Sequence, residues 1–442
     1  MQKLTRVLVF SLLLLSLAVA AFGQTESGQI AGTVKDKTGA VVANAKVTVT
    51  AVDTNVSRTG TTNASGIYTF PALKPAAYKV TIEAAGFQKF ERRLEVYVSS
   101  NNDVSAVLSV LGSATVVEVS ADAQSISVNN ENSTISTVIN TADLENLPTD
   151  ANRNPYALVG QASNAAEDTN SARGAGYSLN GARSASTSVL LDGAENVDAY
   201  TASVGQVVPL DSVQEFSVLT SNFGAEYGRA SGGVVNLVTK SGTNTLHGSA
   251  YEFNRISALS SNTFYNDANG VERGHYTRNN FGFSVGGPII KNKLFFFDNL
   301  EWIRVRSSGG TQAYILDPGS YSLLPAASAL FMNTYGSHIA SGVKNLSNMP
   351  CNTTGFGATL TCDLVTYNVP VDAGGGTPEN TWDEVGKIDF NLSPKTNISG
   401  RYAGYHEIDT AGSVNNSPYA GYNTGQNTFN QNVALSMTHI FS

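Results

Sequence analysis

Downstream of residue 245 the chain repeats one pattern, and so do the segments that join the repeats. Six stretches, at 246–255, 279–287, 294–304, 384–392, 397–405 and 431–441, alternate apolar and polar residues with a period of two. Phe281, Phe283 and Val285 share one side, against Gly282 and Ser284. Ile388, Phe390 and Leu392 likewise oppose Lys387, Asp389 and Asn391. The second and third stretches are joined through a tight PIIKNK and the fourth and fifth through SPKT, whereas the other connections are long and polar. Tight turns at one end and long loops at the other are the rhythm of a transmembrane β-barrel, with its turns in the periplasm and its loops outside. A soluble β-sandwich has no reason to keep it. Trp302, Tyr402 and Phe441, near strand ends, suit the aromatic girdles at the membrane interfaces, although Phe441 suits the core of an ordinary sheet equally well.

Composition agrees with a chain that is mostly β. A hydrophobic fraction of 41% is too low for a polytopic helical membrane protein, and 41 glycines among many Thr, Ser, Asn, Val and Tyr favour strands and turns. The formal charge of -8, with no basic cluster beyond Arg92 and Arg93, argues against nucleic acid as a partner. Residues 1–23 read as a secretory signal: Lys3 and Arg6 precede an apolar core at 7–19, and Ala21, Phe22 and Gly23 supply a cleavage site before Gln24. No cysteine follows that site closely, so no lipid anchor is expected. No later apolar run of about 20 residues appears, which leaves a soluble exported protein or a barrel. In an oxidising compartment Cys351 and Cys362 can close a small disulfide loop; unpaired loop thiols are the alternative, and two thiols are too few for a zinc site.

Residues 27–110 contain six or seven short alternating runs, among them QIAGTVKD, AKVTVTAV and YKVTIEAAG, separated by turn clusters such as TTNASG. This spacing predicts a small β-sandwich. The series GTVKDKTGAVVANAKVTV, TTNASGIYTFPAL and AAYKVTIEAAGF resembles the carboxypeptidase regulatory-like domain, also described as a carbohydrate-binding-like fold. It departs at Ala76-Ala77, where the family often has Gly, so a different turn is expected there. No histidine lies in this region and no H-E-x-x-H anywhere in the chain, so the resemblance implies no peptidase. Sugar binding is implied by fold analogy alone.

Residues 122–245 carry LP, NRN, LNGAR, LLDG and VQEF in order, and the stretch 224–255, GAEYGRASGGVVNLVTKSGTNTLHGSAYEFNR, runs on from them into the first barrel strand. TADLENLP predicts a short helix capped by Thr141 and ended by Pro148. Gly224, Gly228, Gly232 and Gly233 are expected to supply positive φ and close backbone approach at the joint before the first barrel strand. In that strand Ser249, Tyr251 and Phe253 face away from Gly248, Ala250, Glu252 and Asn254. The whole series resembles the plug domain and the plug-to-barrel joint of Oar-like TonB-dependent outer-membrane receptors. The resemblance implies an α+β plug at 122–245 and barrel strands from 246–442. It also implies the outer membrane as location and lipid as surroundings, and a periplasmic TonB-type energy-coupling protein as partner. An extracellular substrate, carbohydrate or peptide among the options, would be moved without chemical change. The β-prone run 114–121, ATVVEVSA, lies where such receptors keep a TonB box, with Thr115, Val116, Val117, Glu118 and Val119 as its residues; a plain linker strand is the alternative.

Little here points to catalysis. Gly282 to Gly286 matches G-x-S-x-G, but the nucleophile elbow needs a sharp turn and a following helix, and Ser284 sits inside a strand pattern. Asp192, Glu195, Asp198 and Asp211 suggest metal ligands only in the way that turn aspartates do. No cofactor is implied. The rival reading is a cell-surface adhesion or carbohydrate-binding β protein, which has no need of a glycine-rich domain before the first barrel strand. Barrels of the resembled family have about 22 strands, and six cannot enclose a plug, so a longer chain is expected.

Overall fold

The computed structural model describes residues 27–110, 118–119, 134–147, 153–168, 173–224, 227–228, 230–262, 264–268, 273–336, 338–340, 342–351 and 360–441. The signal-like segment 1–23 and Thr115, Val116 and Val117 of the candidate TonB box lie outside these residues, as does Pro148.

The first unit consists of β1 (Gly28–Asp36), β2 (Lys46–Ala51), β3 (Ser57–Thr61), β4 (Ile67–Leu73), β5 (Ala76–Glu83), β6 (Phe90–Val96), β7 (Asn101–Asp103) and β8 (Ala106–Leu108). β4, β1 and β7 form one sheet, with β8 also on β1, and β3, β2, β5 and β6 form the other. Alternation explains the packing. Val47, Val49 and Ala51 face inward opposite Ile82, Val80 and Tyr78, while Thr48 and Thr50 turn out. Ala76 and Ala77 lie inside the β5 ladder and not in a turn, and Ala72, near the end of β4, takes a left-handed φ of 55°. β9 (Glu118–Val119) adds parallel to the free edge of β6, at Glu91 and Arg92.

The second unit contains β10 (Ile135–Asn140), α1 (Thr141–Asn146), β11 (Ala165–Glu167), β12 (Tyr177–Leu179), β13 (Thr187–Leu191), β14 (Ala194–Glu195), β15 (Val213–Ser221) and β16 (Gly233–Thr239). The sheet order is β10-β15-β16-β13-β14, with β11 and β12 as a separate hairpin. Every residue of β13 and β16 is buried, as a central pair covered on both faces requires. The helix cap differs from expectation: the Asn140 side chain accepts from the Asp143 N–H at 3.0 Å, and Thr141 instead donates to the Gln214 carbonyl at 2.7 Å. Asn shares the short acceptor geometry of Thr, and β10 runs straight into the helix, which moves the cap one residue back.

The third unit is a sheet of β17 (His247–Ile256), β18 (His275–Ile290), β19 (Leu294–Leu316), β20 (Lys344–Pro350), β21 (Thr361–Val369), β22 (Glu379–Ser393), β23 (Thr396–Asp409) and β24 (Asn427–His439). β17, β18, β19, β22, β23 and β24 follow one another antiparallel, and β21 extends the far half of β19. The tight connections are 291–293 and 394–395, and the long ones are 257–274, 317–378 and 410–426. Phe281, Phe283, Ile388, Leu392, Val433, Leu435 and Met437 are exposed on the outer face. Such a contiguous apolar band fits contact with lipid. No helix among the described residues is long and apolar enough to cross a membrane.

Candidate functional site

The second unit packs against the inner face of the third, and the residues at that junction carry the functional reading. β13 and β14 are joined by Asp192 and Gly193 at φ 50° and 70°, with Leu191 paired to Ala194. Positive φ at both central residues is the two-residue turn that matches strand twist. Glycine adopts it freely and aspartate tolerates it, which is why the sequence reads LLDG. The turn delivers the Asp192 carboxylate into the barrel wall.

There it meets two cations. Lys387 and Arg401 stand directly opposite each other on β22 and β23, a like-charge pair that would destabilise the sheet by itself. Asp192 lies between them: Lys387 Nζ is 3.0 Å from Oδ1 and Arg401 Nε 3.1 Å from Oδ2. The Thr239 N–H donates to Oδ1 at 2.8 Å and its hydroxyl to Oδ2 at 2.7 Å. Arg401 also donates to the Leu191 carbonyl at 3.1 Å, and Lys387 to the Thr239 carbonyl at 3.3 Å. All three charged side chains are buried. Burial pushes the Asp192 carboxyl up, but Lys387, Arg401 and the Thr239 donors outweigh it and hold the group below its usual range.

A second contact lies at the other side of the unit. Arg153 donates to Asp211 at 2.6 Å and covers the Phe253 ring at 3.5 Å. Phe253 and Tyr251 belong to β17, so the aromatic side of that strand, read from sequence simply as its apolar face, looks inward, and Gly248, Ala250, Glu252 and Asn254 look outward. The reason is local: an aromatic residue here gains a cation to stack on. At the joint, Gly242 is required because a Cβ there would sit 2.2 Å from the Phe296 carbonyl oxygen. Gly233 presses against Leu179, but neither it nor Gly232 has positive φ; in this stretch Asn222 does, at 54°. The joint thus uses glycine for close approach and not for left-handed backbone.

The first unit is tied to the other two at the end that carries the tight turns. Lys74 forms an ion pair with the buried Asp389 of β22, and the Asn244 N–H donates to the Asp53 carbonyl at 3.0 Å. Glu215 on β15 is buried, and its carboxyl accepts the Val98 N–H at 2.9 Å. With that one donor against strong desolvation, its pKa is pushed up to about 8. Beside it the Ser99 and Tyr227 hydroxyls share a hydrogen bond.

The aspartates suggested as metal ligands serve separate purposes. Asp192 holds the lock, Asp211 pairs with Arg153, and Asp198 accepts the Tyr200 and Thr201 N–H groups of its own turn at 3.0 and 2.6 Å. Glu195 lies in the β14 ladder opposite Leu190. Ser284 lies within β18 and shares a hydrogen bond with Ser249 at 2.9 Å. Cys351 and Cys362 form a disulfide. It closes the loop end of the β20-β21 hairpin, a pair of strands hidden from sequence reading by the polar character of that long connection.

Comparison with known proteins agrees with this architecture. The family model described as carboxypeptidase regulatory-like domain matches residues 29–109, that of the TonB-dependent receptor plug domain 128–235, and that of the outer membrane beta barrel domain 238–442. The TonB-dependent transporter Oar of Myxococcus xanthus is 28% identical over 298 residues, which is 63% of this chain and 27% of that protein. The chain thus spans about a quarter of the length of this relative. Among solved structures, the outer membrane transporter YddB from Escherichia coli is matched over 70% of this chain and 37% of that one, at 13% identity and a TM-score of 0.43. The siderophore receptor PirA from Pseudomonas aeruginosa is matched over 70% and 38%, at 16% identity and a TM-score of 0.39. The plug and barrel matches meet between residues 235 and 238, just before the close approach at Gly242, and with the Oar relative they give this chain the plug-and-barrel architecture of the Oar-like TonB-dependent receptors of the outer membrane.

Proposed function

We propose that the chain serves as an outer-membrane receptor that binds a substrate at the cell surface and admits or exports it when an energy-coupling protein in the periplasm pulls on the plug. The observation that carries the reading is the lock around Asp192, since a plug held to a barrel wall by buried, fully paired charges stays closed until force is applied. The pull would enter through 114–121, with Thr115, Val116, Val117, Glu118 and Val119 as the TonB box, and reach β10, the edge strand of the plug sheet. A ladder loaded from its end opens bond by bond, so β10 would peel from β15 before the Asp192 turn, at the opposite edge, is strained. Nothing in this sequence of events makes or breaks a bond in the substrate. Backbone pairing of Glu118 and Val119 with β6 supports strand addition as the docking mode of this segment. The test is Val117→Pro, which removes a backbone donor. Site-specific crosslinking between 114–121 and the energy-coupling protein is expected to fall several-fold; unchanged crosslinking would leave this stretch a plain linker.

A further inference from the structure

At the loop end of β22 and β23, away from the plug lock, carboxylates gather with little to neutralise them. Glu379 stands directly opposite Asp409, and Glu407 opposite Thr381, all on the inner face. One oxygen from each of Glu379, Glu407 and Asp409 lies within 4.8 Å of the other two. The nearest cation is Arg278, whose Nη1 is 3.6 Å from Glu379. Thr381 donates to Glu379 at 3.0 Å and the Tyr405 hydroxyl donates to Glu407, so these neighbours aim oxygens without supplying charge.

A second observation comes from Asp383. It is on the same face, opposite Tyr405 and diagonal to Glu407, and it is only 3% exposed. Its Oδ1 is buried with no hydrogen-bond partner among the described residues, and the repulsion of Glu301, Glu379 and Glu407 falls on it. Glu301 is its direct cross-strand neighbour on β19. A buried carboxylate oxygen with no donor, facing further carboxylates, calls for positive charge in the space between them.

We propose that Glu379, Glu407 and Asp409 bind a hard divalent cation of calcium size, with Asp383 adding charge behind them. Calcium takes six to eight oxygens at about 2.3–2.6 Å in flexible geometry, so three carboxylate oxygens within 4.8 Å of one another can supply part of its shell, with water completing it. Magnesium is strictly octahedral and sheds water reluctantly, so it suits such a site less well. The ion would clamp the ends of β22 and β23 where 370–378 and 410–426 begin, two loops already joined by the Thr410 N–H to Pro378 carbonyl bond at 2.9 Å. Its position on the cell-surface side rests on the receptor reading; binding itself does not.

The test uses the full chain in detergent and terbium as the probe, with emission sensitised by Tyr405. Saturable emission is expected, displaced by calcium at concentrations at which magnesium has no effect. Glu407→Gln and Asp409→Asn should each weaken terbium binding at least tenfold, and Asp383→Asn about threefold. Absence of saturable emission in the unaltered chain would overturn the proposal whatever the variants do. So would equal displacement by magnesium, or unchanged affinity in variants whose circular dichroism matches the parent. Reversal of sidedness, read from calcium protection of the 410–426 loop against protease added to intact cells, would overturn the receptor orientation and leave the site.

Discussion

The plug is held on two sides by opposite physical means. Against the barrel wall, Asp192 is wedged between Lys387 and Arg401 with every charge answered and none in water. Against the periplasmic sandwich, Glu215 is equally buried but meets only the Val98 N–H, beside one hydroxyl-to-hydroxyl bond from Ser99 to Tyr227. The first contact costs much to break because removing any partner strands a charge. The second is soft, since a proton is enough to change it. Under the proposed function, a plug that must stay shut yet answer to the periplasm benefits from that asymmetry.

The most forceful way to break the comparison is Asp192→Ala. It leaves Lys387 and Arg401 buried face to face, with an expected loss of about 3–5 kcal/mol. Urea titration followed by tryptophan fluorescence reads it, because both tryptophans, Trp302 and Trp382, lie in the barrel sheet. Restoring stability with the apolar triple Asp192→Leu, Lys387→Met, Arg401→Met would show that pairing, not charge itself, is what the wall needs. A loss no larger than that of Tyr227→Phe would remove the distinction between the two sides.

Acidity sharpens it next. The Asp192 carboxyl is held below its ordinary 3.8, so its contribution is present above about pH 4 and is lost only as pH falls through the lower folded value. Glu215 runs the other way: its folded value of about 8 exceeds its ordinary 4.5, so its contribution is complete below about pH 4.5 and is lost as pH rises toward 8. The slope is at most about 1.4 kcal/mol per pH unit in that window. Glu215→Gln keeps an acceptor for Val98 and should flatten the stability profile between pH 5 and 8. An unaltered profile would mean that Glu215 does not govern this contact. The smallest effect is expected from Tyr227→Phe, about 1 kcal/mol, measured as faster protease cleavage between the sandwich and the plug.

Much of this architecture is legible in the chain. Period-two alternation placed the six barrel strands and separated the side of Phe281 from that of Gly282 and the side of Ile388 from that of Lys387, because the side-chain period of a strand is a local property; which side faces out was decided by the fold. Turn residues marked the tight connections. The β20-β21 pair was missed because KNLSNMP has little alternation and owes its strand conformation to pairing with β21, which is itself held on the edge of β19, and to the Cys351–Cys362 bridge. The inward turn of Phe253 was missed for a related reason: an aromatic face looks lipid-facing until Arg153, 100 residues earlier, is seen to lie on it.

The sequence by itself determined the order of the three units, the alternation within each strand and the residue types able to make each turn, all of which are set by neighbours a few positions away. Only the tertiary structure decided which charges meet. Lys387 and Arg401 become a pair through the register of β22 on β23, and Asp192 becomes their partner because a turn about 200 residues earlier reaches the same wall. That pairing depends on long-range closure, where the cost of burying each charge is offset only once all three have arrived.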